Sequence, residues 1–77
     1  MSKLSELAWK RNSLIGRLVR VDNQLLNLLL TGDQQQILTE GEIKTIQKCV
    51  EEIDKLIYLR DHNWTNIKDE YIKKNGE

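Results

Sequence analysis

Leu4, Leu7, Arg11, Leu14, Leu18, Val21, Leu25 and Leu28 follow one another at alternating intervals of three and four residues, and seven of these eight are apolar. That spacing keeps one stripe of side chains on one side of an α-helix and is the seam pattern of helices that pack lengthwise. It predicts a first helix over residues 3–30. Ser2 is placed to cap it, with Glu6 in or near its first turn, and Thr31-Gly32 is the expected stop, because glycine can adopt the left-handed conformation past a helix end.

The pattern returns in the second half. Ile43, Ile46, Val50, Ile53, Ile57, Arg60, Trp64, Ile67 and Tyr71 again step by three and four, and only Arg60 breaks the apolar run. Thr39 followed three residues later by Glu42 is a capping box, which sets the start of the second helix near residue 40. The helix is expected to run over residues 40–74 and to stop at Asn75-Gly76. No proline interrupts either segment, and strict alternation of polar and apolar residues is absent, so strand is the weaker reading.

A polar connection over residues 31–39 should fold the second helix back on the first as an antiparallel hairpin. Facing positions in such a hairpin share a constant index sum. Centring the turn on Gln35 and Gln36 makes that sum 71 and sets Leu28 against Ile43, Leu25 against Ile46, Val21 against Val50 and Leu18 against Ile53. Leu14 then faces Ile57, Leu7 faces Trp64, Leu4 faces Ile67, and the two seam arginines, Arg11 and Arg60, share a layer. The expected fold is all-α: a single coiled-coil-like helical-hairpin domain.

One seam does not use all the apolar side chains. Ala8, Trp9, Ile15, Val19, Leu26, Leu29 and Leu30 lie off it in the first helix, and Cys49, Leu56, Tyr58, Leu59 and Ile72 lie off it in the second. A stripe this wide belongs to helices with more than one neighbour. The economical arrangement is a homodimer of hairpins forming a four-helix bundle, with Ile15, Val19, Leu26, Leu29, Leu56 and Leu59 as the oligomer interface. The rival arrangement is a groove on a different protein.

The chain has 77 residues, 31% of them charged, with twelve basic and twelve acidic side chains, one cysteine and one histidine. These counts exclude an internal disulfide framework and a Cys/His zinc site, and they give no sign of a uniformly basic nucleic-acid binder. The longest apolar stretch, Leu25 to Leu30, is interrupted by Asn27 and falls far short of the about 20 residues a bilayer span needs. The opening residues lack the layout of a secretory signal, so a cytoplasmic protein is expected. Charge is nonetheless segregated. Residues 1–30 hold five basic and two acidic side chains, residues 31–59 three and six, and residues 60–77 four of each. That division suits charge pairing between the helices.

Little in the chain suggests catalysis. Asp61 and His62 are sequence neighbours and point about 100° apart on a helix. Cys49 reads as a small apolar residue, and Glu51, Glu52 and Asp54 read as a solvated face. Asn63-Trp64-Thr65 matches a glycosylation acceptor but falls inside the second helix. No enzyme activity, cofactor, metal or membrane partner is expected.

Arg11 and Arg60 stand out, because a buried arginine needs a partner. One reading is that the hairpin splays at its open end, so that both side chains reach water or pair with Asp61, Glu6 or a second subunit; the other takes them, with Trp9 and Trp64 near their layer, as two guanidinium forks suited to a carboxylate or other anion, which makes the open end the preferred partner-binding surface. Lys3, Lys10 and Arg17 share one edge at seven-residue spacing and, with Arg20, form a short basic ridge that would serve an RNA- or DNA-binding hairpin dimer.

In layout the chain resembles the dimeric helical hairpins of plasmid copy-number control, which bind paired RNA loops through one bundle face; no residue is carried over from them. Its short, all-helical, proline-free composition also resembles accessory proteins of phages and mobile elements. The leading expectation is a non-catalytic interaction protein that self-associates and binds a protein partner as an inhibitor or regulator. A nucleic-acid-binding dimer comes second, and a structural assembly subunit or chaperone third.

Overall fold

The computed structural model describes residues 2–35 and 38–74. Helix α1 spans Lys3–Gln35 and helix α2 spans Glu40–Lys74, and the two pack against each other as an antiparallel pair. The molecule is a rod of 57 × 16 × 15 Å, close to the length of about 50 Å that helices of this size dictate. The expected stop at Asn75-Gly76 and the turn centre at Gln36 lie outside the described residues.

Both helix starts are built as their sequences suggest. The Ser2 hydroxyl accepts from the Ser5 backbone N–H at 3.2 Å, and the Ser2 carbonyl accepts the first helical bond, from Glu6. At α2 the capping box closes reciprocally. Glu42 N–H donates to Thr39 Oγ1 at 3.1 Å, and Thr39 N–H donates to Glu42 Oε1 at 3.0 Å.

The end of α1 departs from the expectation. The helix continues through Thr31-Gly32 to Gln35 rather than stopping at residue 30. Gly32 is buried, and a Cβ built on it would lie 2.9 Å from Leu38 Cγ and closer still to Cδ2. Gly32 extends the seam by four residues beyond Leu28 and leaves room for Leu38 to fold onto the helix, which is a packing role and not a terminating one.

The register follows the expected sum of 71 to within two. Arg11 meets the Arg60 carbonyl, Asn63 meets the Leu7 carbonyl, Arg17 pairs with Glu52 and Lys3 with Glu70. On α1 the seam is the expected one: Leu14 is buried, and Leu4, Leu7, Arg11, Leu18, Val21, Leu25 and Leu28 are half-buried.

On α2 half of the seam is shifted by one residue. Ile46, Ile53, Arg60 and Ile67 keep their places, but the buried row beside them is Cys49, Leu56 and Asn63, with Glu42 and Glu70 at its half-buried ends. Cys49 is 4% exposed and Val50 45%. Ile43, Val50, Trp64 and Tyr71, expected to face α1, are exposed. The difference amounts to turning α2 by about 50°, half of the 100° step between neighbours. Leu56, expected at an interface with a second chain, is the most deeply enclosed side chain, at 0% exposure.

Candidate interaction surface

The turn of α2 gives the hairpin two unlike flanks. One is polar. Arg17 Nη2 reaches Glu52 Oε1 at 2.8 Å, and Lys3 Nζ lies 3.9 Å from Glu70 Oε2. Gln24, Thr45, Lys48 and Glu52 line a shallow groove of about 290 Å³ on this side, with Val21 and Cys49 as its apolar members. Leu59, also expected at an oligomer interface, is half-buried on this flank, seven residues from Glu52 along the same row.

The basic ridge expected to grip phosphates lies on the polar flank. Two of its members, Lys3 and Arg17, are paired with carboxylates of α2, while Lys10 and Arg20 are exposed. Alternating signs weaken the attraction of a polyanion to this edge.

The other flank is apolar. Ile43, Val50, Ile57, Trp64 and Tyr71 recur every seven residues along α2, all exposed except the half-buried Ile57. On α1, Ile15, Val19, Leu26 and Leu29 are exposed and alternate at steps of three, four and seven on the side that meets this row. In an antiparallel pair the residues flanking the seam on one side of each helix share a face. These nine side chains therefore run along one face of the rod. Twelve large hydrophobic residues are exposed in all among the described residues, against three, Leu14, Cys49 and Leu56, that are buried. The balance is the reverse of a self-sufficient core.

Near the open end, the residues expected to bind a partner are partly brought together. The Arg11 guanidinium lies over the Trp64 ring, 5.2 Å from its centroid, and its Nη1 donates to the Arg60 carbonyl at 3.4 Å. Arg60 turns to the carboxylate of its neighbour Asp61, at 3.3 Å from both Nε and Nη2. The two guanidiniums do not form a common fork. Trp9 points outward from α1, is well exposed, and has no polar or ring contact with the arginines.

Asn63 was not singled out by its pattern as a packing residue. It is 3% exposed, its Nδ2 donates to the Leu7 carbonyl at 3.1 Å, and its Oδ1 is buried without a partner. The burial also closes this asparagine to a glycan. Its signal in the sequence was its seven-residue interval from Leu56 and Glu70.

The remaining polar groups are arranged as a helix surface. His62 stacks on Tyr58, with ring centroids 6.1 Å apart. Among the described residues no group of three His, Cys, Asp or Glu side chains is placed to hold a metal ion, and no helix is long and apolar enough to cross a membrane. Compared with protein families, curated proteins and solved structures, the chain matches none.

Proposed function

We propose that this chain is a non-catalytic interaction protein whose first partner is a second copy of itself. Two hairpins joined through their apolar faces make a four-helix bundle, and the bundle then binds a different protein, acting on it by occupancy as an inhibitor or regulator. The observation that carries this reading is the apolar face made by Ile43 to Tyr71 on α2 and by Ile15 to Leu29 on α1, interrupted by Asp22. From Ile43 to Tyr71 the row runs about 42 Å along α2 at 1.5 Å of rise per residue, most of that helix's length.

The side of the open end turned away from the paired faces remains accessible in such a bundle. Trp9 points away from the paired faces, and Arg60 lies at the rim beside Asp61. Aromatic and arginine side chains are the types that anchor protein interfaces. Sedimentation of the full chain tests self-association directly: twice the chain mass at micromolar concentration is the expected result, and a cooperatively folded monomer overturns it. Capture of partner proteins on the immobilised chain, repeated with Trp9→Ala and Arg60→Ala, tests the second surface. Retention of the same partner by both variants excludes the open end.

A further inference from the structure

We infer that the two copies pair head to tail, the closed end of each hairpin over the open end of the other, and that Asp22 of each chain meets the Arg11–Trp64 pair of its partner. The inference rests on the self-association proposed above.

The apolar face reads as a ladder. Positions whose indices sum to 72 form its rungs: Ala8 with Trp64, Ile15 with Ile57, Asp22 with Val50, and Leu29 with Ile43. Tyr71 lies one rung further out, beyond the start of α1 at Lys3. Two packed helical hairpins can share a two-fold axis in only two ways that keep every neighbouring helix antiparallel.

If the axis runs along the bundle, both closed ends lie together and α1 packs on the partner's α2. The Asp22 carboxylate is then set on the partner's Val50, where burial of an unpaired charge is expensive. If the axis crosses the bundle, α2 packs on α2. Ile57 then meets the partner's Ile57, Trp64 meets the partner's Val50, and Tyr71 meets the partner's Ile43. All five members of the row gain apolar neighbours.

The charges select the same solution. Head-to-tail pairing lays the Asp22/Val50 rung on the partner's Ala8/Trp64 rung. The guanidinium over Trp64 is that of Arg11, 5.2 Å from the ring centroid. Asp22 thus faces a partly buried cation of the other chain. Within one chain Asp22 and Arg11 are three turns of α1 apart, so any energetic coupling between them arises between chains.

Cross-linking of single-cysteine chains distinguishes the two arrangements, with Cys49→Ala as background. With a short bifunctional thiol reagent, Ile57→Cys should cross-link to itself, and Ile43→Cys should cross-link to Tyr71→Cys but not to itself. Capture of Ile57→Cys by Ile15→Cys, and of Ile43→Cys by Leu29→Cys, overturns the head-to-tail arrangement while leaving self-association intact. A monomer in sedimentation overturns both. The charge pair has its own readout. Asp22→Lys and Arg11→Glu should each raise the dimer dissociation constant at least tenfold, and the double variant should recover most of the loss. A double variant as weak as the product of the singles removes Asp22 from the interface.

Discussion

Asn63 and Leu7 join the two helices near their open end: the side-chain amide donates to the Leu7 carbonyl at 3.1 Å, in a position 3% exposed, and leaves its own Oδ1 unpaired. A carbonyl inside a helix already accepts from the residue four positions on, so Leu7 gains a second bond, while Asn63 bears the cost of the orphaned oxygen. Replacing Asn63 by leucine removes that penalty and adds apolar burial. Asn63→Leu should raise stability by about 1 kcal/mol or more, read as a higher urea midpoint at fixed chain concentration. Asn63→Asp replaces the donor by a charge facing the Leu7 carbonyl and should lower stability by about 2–4 kcal/mol. Equal midpoints for the two variants would show that the layer is open to water.

Gly16 and Gly32 are both helical yet should respond oppositely to the same substitution. Nothing lies within 4 Å of a Cβ built at Gly16, so Gly16→Ala should gain the helix-propensity difference, about 1 kcal/mol. At Gly32 the methyl group would run into Leu38, 2.9 Å from its Cγ, so Gly32→Ala should give no gain. Leu38→Ala clears the space, and Gly32→Ala should become favourable in that background. The measurement is a double-mutant cycle of thermal or urea midpoints, in which additive effects would refute the contact.

The first helix was readable because its seam is apolar at seven of eight positions, while the row one residue on, Ala8, Ile15, Asp22 and Leu29, carries a charge. The capping box was readable because Thr39 and Glu42 satisfy each other within four residues. The rotation of α2 was not. Ile46, Ile53, Arg60 and Ile67 belong to two seams at once, one completed by Val50, Ile57 and Trp64, the other by Cys49, Leu56 and Asn63. Counting apolar residues favours the first. The second buries an asparagine because its amide finds the Leu7 carbonyl, and it lets Glu70 reach Lys3 at the end of the row. Those are long-range and terminal contacts, which periodicity does not encode. Gly32 differs from its sequence pattern for a related reason: a glycine past an apolar run looks like a stop, and only the position of Leu38 reveals a packing site.

Acid should loosen the start of α2. The bonds from the Thr39 backbone N–H, first, and the Thr39 hydroxyl hold the Glu42 carboxyl below its ordinary value of 4.5. A carboxyl lowered in the folded chain adds stability above the unfolded value, and loses it as pH falls through the folded one. Helix content followed by circular dichroism should therefore decline on acidification from pH 4.5 downward, and Glu42→Gln should flatten that part of the curve. Thr39→Ala removes the hydroxyl partner and should cost about 1 kcal/mol at neutral pH. An acid profile unchanged by Glu42→Gln would assign the loss to other carboxylates.

Position, and not hydrophobicity alone, should decide which exposed residue governs assembly. Val50 and Tyr58 are both exposed and lie about two turns apart on α2, but Val50 belongs to the apolar row, whereas Tyr58 stacks on His62 away from it. A glutamate at Val50 would set a second carboxylate beside Asp22 against a single Arg11 guanidinium, so one charge would stay unpaired within the joined faces. Val50→Glu should weaken self-association by about 3 kcal/mol, roughly a hundredfold in dissociation constant. Because Leu14, Cys49 and Leu56 are the only buried hydrophobics among the described residues, helix content at micromolar concentration should fall along with the mass. Tyr58→Glu alters a more exposed apolar residue, 69% against 45%, and should leave both unchanged. Sedimentation and circular dichroism on the same samples separate the cases. If both variants dissociate alike, general hydrophobicity drives association; if neither does, the apolar face is not where the chains meet.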